Sequence, residues 1–127
     1  MLNQSLRRVC LTLAPLVLAA STALHAQKPA PKAYAVAEIT VTNPVAYKKY
    51  LAAVTPIVKQ FGGTYLVRAG KIVPLEGRAP MGRFIIIQFP SLAAAQQFES
   101  SPQYRSIATL RQHAARTRLF LAEGAPE

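Results

Sequence analysis

The sequence has no aspartate, one cysteine (Cys10), and two histidines, His25 and His113. These shortages remove several chemistries at once. A Ser-His-Asp triad needs an acid behind its base, and neither an aspartate nor a G-x-S-x-G turn is present. A structural or catalytic zinc site needs several His, Cys or carboxylate ligands together, and two histidines far apart in the sequence with scattered glutamates are not such a set. Neither G-x-G-x-x-G nor a P-loop occurs, so phosphate binding by a nucleotide motif has no support.

What is present begins with a targeting layout. Arg7 and Arg8 precede an uncharged, mostly apolar run from Val9 to Leu24, and small residues follow. That order is the order of a secretory signal peptide over residues 1–26, with a polar, Pro-containing linker over 27–33. Cleavage after Ala26 or after Ala23 is expected. The run is shorter than a spanning helix needs and is interrupted by Pro15. Export would place the protein in the periplasm or outside the cell. Removing residues 1–26 takes Cys10 and two of the 15 basic residues, leaving 101 residues and a net charge of +8. Such a chain has neither thiol chemistry nor a disulfide, so a packed core must hold it together. The positive balance favours anionic partners.

Strict alternation over Tyr34–Thr42 predicts a strand. Ala35, Ala37, Ile39 and Val41 form one apolar face, and Tyr34, Val36, Glu38 and Thr40 form a mixed one. Asn43-Pro44 ends it and opens a helix, since Asn caps well and Pro is tolerated at the first helical position. Tyr47, Leu51, Val54, Val58 and Phe61 make one helical stripe. Pro56 should kink or restrict that helix, and Gly62-Gly63 should stop it. Thr64–Ala69 reads as a second strand. Residues 70–82, with Pro74, Pro80 and three glycines, read as a long hairpin arm, with 71–76 extending the sheet. Arg83–Phe89 is apolar on both faces and should be central. Ser91 caps a second helix, and Ser101-Pro102 predicts a break and a further helical segment to about Ala115. Thr117–Glu123 is the last strand, and 125–127 is a tail.

This β-α-β-β-α-β order defines an α+β, ferredoxin-like plan, with a four-stranded antiparallel sheet and helices on one face. The other face would be left open. A homodimer with two sheets face to face is the expected cover.

The runs AYAVAEITVTNPVAYKKY, FGGTYLVRAG, LEG at Leu75–Gly77 and FIIIQFPSLAAAQQFESSPQYRSIATLR resemble the domain-of-unknown-function family 1330 (DUF1330), of the dimeric α/β-barrel superfamily. The resemblance covers residues 34–124. It implies a ferredoxin-like fold and a dimer, and no particular activity.

The candidate site is a polar cluster on the sheet. Glu38 stands mid-strand among apolar residues, where a carboxylate needs a partner. Arg68, Arg83 and Gln88 lie on strands expected beside it, and Tyr34 and Tyr65 offer apolar bodies with polar tips. A Glu38–Arg68 pair could orient a small anionic or carbonyl-bearing molecule, with Glu38 as proton acceptor; the plainer alternative is a structural ion pair. Tyr47, Tyr50 and Tyr104 read as core or pocket walls. His113 reads as a surface histidine near a helix C-terminus rather than a haem ligand. Arg105, Arg111, Arg116 and Arg118 read as a solvated face without the aromatics of a nucleic-acid platform.

Three functions follow. The first is an exported dimeric module that binds a small molecule between sheet and helices. The second is a cofactor-independent enzyme, monooxygenase- or isomerase-like, with Glu38 as general base. The third is a surface-interaction protein touching anionic lipid. No metal, cofactor or nucleic-acid partner is expected.

Overall fold

The computed structural model describes residues 26–126. The targeting segment expected over 1–26 lies outside them, apart from Ala26. Strands β1 (Ala33–Val41), β2 (Thr64–Arg68), β3 (Arg83–Phe89) and β4 (Ala115–Glu123) alternate with helices α1 (Pro44–Gln60), α2 (Leu92–Ser100) and α3 (Pro102–Ala114). The sheet order is β2-β3-β1-β4, with every neighbouring pair antiparallel. β3 and β1 are therefore the central strands, as their apolar runs require.

Alternation decides which face each side chain meets. Ala33, Ala35, Ala37 and Ile39 of β1 are buried under the helices, as are Ile85, Ile87 and Phe89 of β3. The small alanines let the helices approach closely. Phe98 of α2 fills the space above them. Its ring centroid lies 5.2 Å from that of Phe89, 4.4 Å from Tyr104 and 6.0 Å from Phe61. Burial of such rings supplies much of a small domain's stability.

Each helix starts on a side-chain cap. Asn43 Oδ1 accepts from the Ala46 amide at 3.0 Å, and Ser91 Oγ accepts from the Ala94 amide at 3.1 Å. Ser101 serves two helices at once. Its hydroxyl donates to the Phe98 carbonyl at 2.7 Å and accepts from the Tyr104 amide at 3.1 Å. The backbone is extended there, at φ −63° and ψ 143°, which separates α2 from α3. The amides of Thr42 and Asn43 both donate to the Ala114 carbonyl, which ties the start of α1 to the end of α3.

α1 runs through Pro56 to Gln60 and stops before Gly62-Gly63, as its apolar stripe and the glycine pair predict. Pro56 and Ala52, whose carbonyl loses its helical donor, both face solvent, where water replaces the lost bond. Residues 69–82 contain no strand, so the proposed extension over 71–76 is absent. Ala69 takes φ 56° and Gly82 takes φ 67°. A Cβ at Gly82 would also run into the Ile39 carbonyl, so this loop returns to the sheet through a glycine. β1 and β4 begin one and two residues earlier than read from the sequence.

Candidate functional site

β2 is not regular. Tyr65 pairs with Ile87, Val67 with Ile86 and Arg68 with Ile85, so the register shifts between Tyr65 and Val67. Leu66 is the extra residue, and it is 53% exposed. A bulge of this kind changes the phase of the alternation. It turns Tyr65 and Arg68 onto the same, helix-covered face. The Arg68 guanidinium lies 4.2 Å from the Tyr65 ring centroid and donates to Thr55 Oγ1 of α1 at 2.7 Å.

Above these residues is a chamber of about 40 Å³ between the sheet, α1 and α3. Its apolar walls come from Ala35, Ala37, Ile85 and Ile87. Its polar groups are four phenols (Tyr47, Tyr50, Tyr65 and Tyr104), two guanidiniums (Arg68 and Arg111), Glu99 and Thr117. Arg111 is only 8% exposed. It donates to the Tyr104 hydroxyl at 3.3 Å, and its guanidinium lies 5.8 Å from the Tyr50 ring centroid. Tyr104, Ala108 and Arg111 are buried on one side of α3, at spacings of four and three. Arg111 is thus not part of a solvated face, which corrects the reading from the sequence. His113, on the opposite side of α3, is exposed.

The chamber disfavours negative charge on its own groups. Burial pushes the Tyr50 phenol well above its ordinary range. It also raises Tyr47 and Tyr65, against the pull of Arg83 and Arg68 respectively. Burial lifts the Glu99 carboxyl above the usual carboxylate range, with Arg111 pulling it back. Burial opposes the charge on Arg111, yet Tyr104 and Tyr50 outweigh it and leave that pKa raised. The result is a buried cation facing neutral phenols and one reluctant acid.

The residues expected to form one cluster are divided between two faces. Tyr65 and Arg68 line the chamber. Arg83, opposite Ile39 on β3, belongs to the same face; its guanidinium lies 5.7 Å from the Tyr47 ring centroid. Its Nε is buried with no hydrogen-bond partner, as is Thr117 Oγ1. Arg83, Ile39 and Thr117 form one row across three strands. Tyr34, Glu38 and Gln88 point the other way, onto the open face. There Glu38 meets Arg118 of β4, with Nη1 3.3 Å from Oε1, and not Arg68. The reason is parity: a residue between Ala37 and Ile39 must face away from the helices.

Among the described residues, no group of three or more His, Cys, Asp or Glu could hold a metal ion. No helix there is long and apolar enough to cross a membrane.

The sheet order and helix placement define a ferredoxin-like α+β domain with a polar chamber between its two layers. The chain belongs to the family described as Domain of unknown function (DUF1330), whose model matches residues 32–125. Solved structures share the fold. The RPA0582 protein of unknown function from Rhodopseudomonas palustris superposes with a TM-score of 0.60 at 21% identity, covering 76% of this chain and 85% of that one. SnoaB, a cofactor-independent oxygenase from Streptomyces nogalater, does so with a TM-score of 0.53 at 13% identity, covering 77% and 97%. A hypothetical Arabidopsis thaliana protein gives 0.58 at 9% identity, covering 81% and 96%. No curated protein sequence matches the chain.

Proposed function

We propose that the protein is an exported homodimer that binds a small anionic or carbonyl-bearing molecule in the chamber between sheet and helices. One observation carries this reading: Arg111 is buried beside neutral phenols, and among the described residues no carboxylate lies within ion-pair distance of it. A buried charge without a counter-charge is costly, and an anion entering the chamber would offset that cost. Arg68 on the opposite wall adds a second cation, and Tyr50 and Tyr65 stay protonated and able to donate. The dimer rests on the apolar part of the open sheet face, where Phe120 is 42% exposed.

The test is thermal unfolding in small carboxylates, from acetate to short 2-oxo acids, at constant ionic strength against chloride. Ligand binding raises the midpoint as concentration passes Kd. Arg111→Met should abolish the rise and Arg68→Gln should weaken it, while Glu38→Gln should leave it intact. Equal shifts in wild type and Arg111→Met would overturn the assignment.

Glu99 favours a second reading, a cofactor-independent enzyme. A half-buried carboxyl whose pKa is raised by burial is a stronger base than a free one and can take and return a proton. SnoaB, of the same fold, is a cofactor-independent oxygenase. In this chain the chamber's acid is Glu99, whereas Glu38 could act only at the open face. Loss of turnover in Glu99→Gln with ligand binding retained would separate this reading from simple binding.

A further inference from the structure

The chamber is not the only hollow on this side of the sheet. An open groove of about 710 Å³ runs beside the start of α1, lined by Val41, Pro44, Val45 and Lys48 and by Gly82 and Arg83. Ile39, Tyr47 and Leu51 line both spaces. These three residues therefore stand between the two spaces. Size separates what each can hold. About 40 Å³ accommodates roughly three water-sized groups, at some 10–15 Å³ each. That is the number of heavy atoms in a carboxylate group, so the remainder of any larger acid must lie outside the chamber. The adjoining groove is mostly apolar, and Val45 on its wall is 76% exposed.

Charge points the same way. The cations around the two spaces are Arg68, Arg111, Lys48 and Arg83, against the single acid Glu99. We infer that the ligand is an amphiphilic acid: its carboxylate enters the chamber towards Arg111, and its apolar body passes Tyr47 and Leu51 to lie along Val45 and Pro44. This rests on the reading of the chamber as an anion site and adds the class of molecule that fills it. Arg83, whose guanidinium lies 5.7 Å from the Tyr47 ring centroid, lines the groove beside this shared wall.

The experiment is a titration of the full protein with straight-chain carboxylates of two to ten carbons. Each is kept below its micellar concentration, at constant ionic strength, and followed by calorimetry. Affinity should rise between two- and fourfold per added methylene over at least four methylenes, as expected for burial of that group. Val45→Glu places a charge on the groove wall at an exposed position in the first turn of α1, where a carboxylate does not harm the helix. It should flatten the series while changing acetate affinity less than twofold; Val45→Ala should give an intermediate slope. A flat series in the wild type, or an unchanged slope in Val45→Glu, overturns the inference while leaving the chamber's role intact. Absence of binding by every acid, acetate included, overturns both. If Val45→Glu changes the oligomeric mass, the groove is covered by a second copy, and the inference fails on that ground.

Discussion

The two faces of this sheet are built from the same strands and carry opposite chemistry. On the helix-covered face the polar groups are buried or half-buried and crowded: Arg111, Glu99 and four phenols surround a small hollow. On the open face the acid already has its partner. Glu38 and Arg118 meet at 3.3 Å, with the arginine side chain 70% exposed. An exposed pair of this kind contributes little to stability and has little pull left for a ligand. The contrast is between a carboxylate already paired at a wet surface and a buried arginine with no acid in ion-pair contact.

The strongest way to sharpen the contrast is through the aromatics. Phe98→Ala, at 2% exposure, should cost about 3–5 kcal/mol of unfolding free energy in urea titration. Phe120→Ala on the open face should cost well under half of that at high dilution. Equal losses would mean that the two faces are equally buried in the dilute protein. Next in size is the effect on association. Ile86→Glu puts a charge at the centre of the open face, opposite Val36 and Val67. It should weaken dimerisation at least a hundredfold by sedimentation equilibrium, with the chamber's acetate affinity retained. A wild-type protein that is monomeric at micromolar concentration would remove the proposed dimer.

The smallest effect separates the two acids by pH. Glu99 holds its proton more tightly in the folded state than in the unfolded one. Between those two values the folded state binds more protons, so stability falls as pH rises. The loss starts near pH 4.5, the ordinary glutamate value, and is complete above the folded-state pKa. Glu99→Gln should remove this decline from a midpoint-versus-pH curve. Glu38→Gln should leave the decline in place and lower the midpoint by no more than a degree or two, corresponding to less than about 0.5 kcal/mol. A decline that survives Glu99→Gln would mean that another group causes it.

Much of the fold was legible in local chemistry. Alternation from Tyr34 to Thr42, the Asn43-Pro44 and Ser101-Pro102 starts and the all-apolar core of β3 each specify their own element. The site was less so, for reasons of geometry across strands. Parity along β1 separates Glu38 from the apolar face of its own strand, but which residues of β2 and β3 share its side depends on the register between strands. The bulge at Leu66 defeats simple alternation in β2; counting by twos puts Arg68 with Leu66, whereas the observed register puts it with Tyr65. Arg111 had a signal that charge concealed: it stands seven residues after Tyr104, two turns along the same stripe. Glu99 follows a buried phenylalanine at the end of a short helix, and nothing local distinguishes it from a surface acid.

Ser101 joins the two helices that bring Glu99 and Arg111 into the chamber. Its hydroxyl ties the last turn of the one to the first turn of the other, held at both ends by hydrogen bonds of ordinary length. Loss of that hydroxyl would free the two helices to tilt against each other. The shape of the chamber thus depends on a residue that lines none of it.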